Sequence, residues 1–166
     1  MIKQKVECFS LHNNRGEVLL DRDLTRYRSE TEGGFQTFGP VVAYSWCFDG
    51  EPQGLSDPDS RLSIKVLPDE SGFIAFEQEL HPDNCLLLDG HGREVRRLAV
   101  PMKLLGHDVS DTVERWFRSI DGPYADPATG QAGKFGVSAW VESVGEIYLE
   151  LDFRSGEFLW WKPIRF

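Results

Sequence analysis

Basic residues are in short supply. The chain carries 18 Lys and Arg against 27 Asp and Glu, a formal net charge of −9. A broad basic surface for nucleic acid is therefore excluded, because neutralising phosphates takes clustered Lys and Arg. Cysteine is scarce as well, with only Cys8, Cys47 and Cys85. An odd number at irregular spacing makes no disulfide framework. Each sits in an apolar, strand-like run, so all three are expected to be reduced and buried. No apolar run approaches the roughly 18 residues that a membrane span needs, and the opening MIKQKVECFS contains no hydrophobic stretch of signal-peptide length. The resulting expectation is a cytoplasmic protein with no membrane association.

Catalytic signatures are missing too. There is no G-x-S-x-G elbow. Gly130, Gly133 and Lys134 lack phosphate-loop spacing and have no apolar strand before them. His107-Asp108 is a lone dipeptide, better taken as a loop His beside a helix-start acid than as half a triad. His81, Asp83, Cys85 and His91 are ligand types that zinc accepts. No second pair follows at regular spacing, so His81 is expected on a surface loop and Cys85 in the core. Asp57 and Asp59 are followed by neither the glycine nor the distant Glu of a calcium loop, and are expected to form turns. Neither a metal nor a cofactor is expected, and catalysis is the less favoured reading.

What the chain has in quantity is aromatic side chains, 12% of residues, including 11 Phe and five Trp. These suit half-buried pleated surfaces. At 166 residues the default is one domain with a full core. From Glu146, Ile147, Leu149, Leu151 and Phe153 alternate with Glu146, Tyr148, Glu150 and Asp152. A period of two puts the two sets on opposite faces of a strand. Ser155-Gly156 then suits a tight turn, and Phe158 to Trp161 return as a second strand. Further strands are expected over Ile2–Leu11, Glu17–Asp21, Phe35–Phe48 with a break at Gly39-Pro40, Arg61–Leu67, Phe73–Leu80, Asn84–Asp89 and Glu94–Val100. Arg22–Gly34 and Asp49–Ser60 are expected as loops, being polar or rich in Gly, Pro and Asp.

One segment changes period. Val109, Val113, Trp116, Phe117 and Ile120 follow a spacing that predicts one face of an amphipathic helix over about 109–120, with Asp111 and Glu114 as its capping pair. Asp121–Lys134 then runs without apolar periodicity, which marks a functional or mobile loop. The predicted fold is mainly β: an antiparallel sandwich or open barrel of about nine to eleven strands built from hairpins, with one amphipathic helix, in a single domain over 1–166.

Two functional expectations follow. The first is a non-catalytic acidic domain that binds another protein, in concrete form a bacterial immunity or inhibitor protein covering a basic toxin or nuclease. Its contact surface is the acidic face of the C-terminal hairpin: Glu150, Asp152, Tyr148 and Trp160, with Glu142 and Glu146 at the rim. Between 142 and 157 there are five acids and one base. An exposed Trp beside an acidic strand is an anchor of the kind interfaces use. The second is a small β-barrel holding an apolar small molecule, with weak enzymatic use of it, in a pocket lined by Trp46, Trp116 and Trp140 under the 121–134 loop.

Overall fold

The computed structural model describes residues 4–106, 112–142 and 144–165. In chain order its elements are β1 (Val6–Asn13), β2 (Val18–Leu20), α1 (Leu24–Glu30), β3 (Val41–Phe48), β4 (Glu51–Ser56), β5 (Leu62–Val66), β6 (Gly72–Glu77), β7 (Cys85–Asp89), β8 (Glu94–Leu98), β9 (Arg115–Asp121), β10 (Gly136–Val141), β11 (Gly145–Asp152) and β12 (Glu157–Arg165). The strands form three antiparallel four-stranded sheets, ordered β2-β1-β3-β4, β5-β6-β7-β8 and β12-β11-β10-β9. The mainly-β expectation with one helix is met, with twelve strands in place of nine to eleven. The chain divides into two compact units, Met1–Ile74 with Leu88–Glu94, and Ala75–Leu87 with Val95–Phe166. The divisions fall inside β6, β7 and β8.

In the first unit, larger side chains alternate inward along β3: Tyr44, Trp46 and Phe48 are all buried. Phe9 stacks flat on Tyr44 with centroids 5.6 Å apart, and Phe73 packs against both Phe9 and Trp46. The Trp46 indole N–H, which burial obliges to find a partner, donates to the Gly90 carbonyl at 2.7 Å. Asp57 is a turn former, as expected: its two carboxyl oxygens accept the Arg61 and Leu62 amides at 2.9 Å. Cys8 departs from expectation. It sits at a register shift in β1 with φ of 56°, and it is exposed. Cys47 is half-buried, and Cys85 alone of the three is buried.

Three assignments need correction in this unit. The helix lies at α1, inside the stretch expected to be a loop, with only Leu24 buried. It had no apolar stripe to announce it. Phe35 starts no strand but belongs to a short 3-10 turn over Gly34–Thr37, stacked on Phe38. Glu51–Ser56 forms β4, paired with β3, where a loop was expected; main-chain pairing with a buried neighbour overrides its weak strand propensity.

In the second unit the expected helix over 109–120 is replaced by β9 from Arg115 onward. Val109 and the capping Asp111 lie outside the described residues. The cause is a bulge. Opposite β10, Trp140 faces Trp116 and Ala139 faces Phe117, yet Ser138 faces Ser119, so one extra residue is inserted at Arg118. That insertion breaks the period of two and leaves apolar residues at a helix-like spacing. The inner face of the C-terminal sheet is fully apolar: Phe117, Val137, Ala139, Val141, Ile147 and Leu149 are each at most 1% exposed. Asn84 ties β6, β7 and β9 together. Its amide nitrogen donates to the carbonyls of Phe117 (2.9 Å) and Glu77 (3.1 Å), and its oxygen accepts the Phe117 amide (2.8 Å).

Because Asn84 is buried, removing it leaves main-chain groups without partners away from water. Asn84→Ala is expected to lower unfolding stability by about 2–4 kcal/mol in urea titration. A loss below about 0.5 kcal/mol, the ordinary effect of a surface change, would show that the staple carries no weight.

Candidate functional site

The outer face of the C-terminal sheet collects most of the residues singled out from sequence. Register places Trp116, Trp140 and Glu146 in one row, Ser119, Ser138, Tyr148 and Lys162 in the next, and Asp121, Gly136, Glu150 and Trp160 in a third. The expectation of a solvated acidic face fails in the middle of this array. Tyr148 is 0% and Glu150 4% exposed. The Tyr148 hydroxyl donates to Glu150 Oε1 at 2.6 Å. Glu150 Oε2 accepts the Lys134 amide at 2.7 Å and the Phe135 amide at 3.4 Å. A buried carboxyl group is tolerated only when donors of this kind surround it.

The 122–134 segment makes that burial possible. It lies over Tyr148 and Glu150, with the Tyr124 ring edge-on to Tyr148 at 4.8 Å and Lys162 Nζ 5.3 Å from the Tyr124 ring centroid. Two glycines allow the approach. A Cβ on Gly136 would collide with the Tyr148 ring and hydroxyl, and one on Gly133 with the Glu150 carboxyl group and the Tyr124 carbonyl. Burial, and next the hydrogen bond to Glu150, push the Tyr148 phenol well above its ordinary value.

The remaining acids on the expected surface have local partners: Glu142 is exposed, Asp152 half-buried and Glu146 only 12% exposed at its side chain. Glu142 Oε2 accepts the Glu114 amide at 3.1 Å. Glu146 lies 3.9 Å from the Arg118 guanidinium. Asp152 Oδ1 accepts the Arg154 amide at 3.0 Å, closing the turn into β12. Trp160 is half-buried, its ring 5.5 Å from that of Tyr148. The three tryptophans of the pocket expectation divide between the units. Trp46 is a core residue of the first unit, whereas Trp116 and Trp140 are half-buried in the second and stack at 4.8 Å with rings 23° apart.

The zinc-type residues of the second unit are engaged with protein groups. His81 Nδ1 is 2.6 Å from Asp83 and its Nε2 3.1 Å from Glu77, which also pairs with Arg97. Burial pushes the Cys85 thiol far above its ordinary value, which keeps it protonated and unreactive. Among the described residues no group of three or more His, Cys, Asp or Glu is arranged to hold a metal ion. One feature was missed in the sequence: a cleft of about 350 Å³ lined by Leu80, His81, Pro82, Glu114 and Trp116, among others. The Leu80-His81-Pro82 run was placed at a strand end and in a loop, and nothing local signals its approach to a strand more than thirty residues later.

No family model matches the chain, and no curated protein matches it in sequence. A chain in a solved structure of Tne2 in complex with Tni2 has a similar fold, with a TM-score of 0.60 and 15% identity. The likeness covers 96% of this chain and 99% of that one.

Two outcomes check the Tyr148–Glu150 arrangement. Glu150→Ala strands three donors and is expected to cost about 3 kcal/mol, with faster amide exchange at Lys134 and Phe135 and, beside them, across 122–133. Exchange left unchanged would mean that the loop is held by other contacts. A phenol raised on folding stabilises the fold fully below about pH 10 and loses that stability as pH rises further. Tyr44, pushed up to about 12 by its own burial, behaves alike. Tyr148→Phe is therefore expected to flatten, but not abolish, the fall in stability above about pH 10, measured as denaturation midpoints across alkaline buffers.

Proposed function

We propose that this chain is a non-catalytic protein-binding domain of the inhibitor or immunity type, acting in the cytoplasm by covering a basic partner such as a toxin or nuclease. One observation carries the reading: a chain that shares this fold along nearly its whole length was solved in a complex of two proteins. The net charge of −9 supports a basic partner, since an acidic surface speeds encounter with one and repels acidic competitors. No helix among the described residues is long and apolar enough to cross a membrane.

The contact surface needs revision from the sequence expectation. Tyr148 and Glu150 are occupied in holding the 122–134 segment. Of the original set, Glu142 is exposed and Asp152 and Trp160 are half-buried, while the Glu146 side chain is only 12% exposed. Charge on these residues steers association, while a half-buried aromatic supplies contact area that survives salt.

The test is capture from native lysate at low salt, elution by a salt gradient, and reconstitution of the recovered protein with the pure chain. A basic protein that forms a stoichiometric complex is expected. With that protein in hand, Glu142→Lys should slow association about threefold at low salt, measured by stopped flow. If no protein reconstitutes in fixed ratio, the binding reading is wrong. An unchanged association rate and salt dependence would refute the charge-steering part.

A further inference from the structure

We propose that the tryptophan end of the C-terminal sheet is a docking surface for a segment of the protein partner that carries an arginine between apolar residues. The guanidinium enters the cleft beside Trp116, and the apolar neighbours lie on Leu80 and the Trp116–Trp140 stack. The proposal rests on the protein-binding reading above and names the place and the chemistry of that contact.

The first support is shape and exposure. Trp116 and Trp140 are directly opposed across β9 and β10, and their stacked rings are both half-buried. Two other indoles are engaged elsewhere: Trp46 in the core of its own unit, and Trp160 against Tyr148. Trp116 also lines the cleft of about 350 Å³, together with Leu80 and Pro82. Leu80 is 60% exposed, one of five large hydrophobic side chains left open to solvent among the described residues. An exposed leucine beside a pair of stacked tryptophans is the apolar centre that an interface buries first. The cleft is near the lower end of small-molecule pocket volumes, a size that suits one long side chain.

The second support is charge. Glu114 lines the cleft and is exposed. Glu142 is bound to the Glu114 main chain through both its amide and its carboxyl group, so its acid lies at the same rim. Glu79, also exposed, precedes Leu80. Among the described residues none of these three acids is in an ion pair, whereas Arg118 lies 3.9 Å from Glu146. Arg115 is the single cation lining the cleft, and its guanidinium donates to the Val113 carbonyl at 2.7 Å. An acidic segment would meet the Glu114 and Glu142 carboxylates at that rim. An arginine answers them, and its planar group also stacks on indole while forking to a carboxylate, which lysine does less well.

The probe is the peptide acetyl-Leu-Arg-Leu-amide, with its citrulline analogue as the uncharged isostere. The readout is the five tryptophan indole N–H signals in a ¹H–¹⁵N spectrum of the full chain, assigned with single Trp→Phe variants. Saturable shifts are expected at the Trp116 and Trp140 signals, with a Kd of about 1 mM. Citrulline should bind at least fivefold more weakly, and Glu114→Gln should weaken the arginine peptide to a similar degree. Equal binding of the two peptides, shifts confined to other indoles, or no saturable shift would each overturn the proposal. A second arm uses the captured partner. Leu80→Asp with Glu114→Lys, both exposed positions, should weaken it more than tenfold without moving the thermal transition. A partner that binds the double variant as tightly refutes this surface and leaves the protein-binding reading standing. Absence of any stoichiometric partner refutes that reading, and the peptide result still decides whether the cleft takes a cationic side chain.

Discussion

A carboxyl group placed in the middle of a sheet must find hydrogen-bond donors or drive the structure apart, and much of the second unit is arranged around that demand at Glu150. Its two oxygens are met by the Tyr148 hydroxyl and by main-chain amides at Lys134 and Phe135. Meeting it requires the backbone of the 122–134 segment to come close, so Gly133 and Gly136 stand where any side chain would collide. Tyr124 then finds Tyr148, and Lys162 finds Tyr124. A single acid thus turns a stretch without apolar periodicity into ordered cover.

The consequence for binding is a division of labour on one face. The centre of rows two and three, at Ser138, Tyr148 and Glu150, is closed over by the protein itself, and Trp116 and Trp140 of the first row stay half-exposed. Acids that look alike in sequence therefore do unlike things. Glu150 is an internal fastener, Asp152 shapes a turn, Glu146 is largely covered beside Arg118, and Glu142 stays exposed.

Period-two alternation made β3 and β11 legible in the sequence, because both the spacing and the size of the side chains point the same way. Two kinds of feature were hidden. The bulge at Arg118 inserts one residue into β9 and converts a strand pattern into an apparent helical one. Helix α1 buries only Leu24 and holds its place through partners elsewhere, such as Tyr27 against Phe38, so no local stripe reveals it. The failure of the acidic-face expectation has the same root. Alternation assigns Tyr148 and Glu150 to a face, but whether that face meets water depends on a loop whose fixing points lie 16 residues away in sequence. Candidate residues Glu142, Glu146, Asp152 and Trp160 were reachable from sequence, whereas the cleft at Leu80 was not, since it exists only through the fold.

The tip of the 122–134 segment is held differently from its base. Hydrogen bonds there close within the tip: the Asp126 and Gly130 amides donate to the Gln131 and Asp126 carbonyls, and the Ala128 amide to the Asp126 side chain. The base is fixed through main-chain amides and a carbonyl, atoms that every residue type other than proline supplies. Of the six positions from Asp126 to Gln131, Asp126 and Gly130 (φ 75°) shape the tip itself, whereas the exposed Pro127, Ala128 and Gln131 are free to change without loosening the sheet beneath. Natural variants of this chain can alter that projection while keeping the rest, and an engineer can graft foreign peptide there as interchangeable cargo.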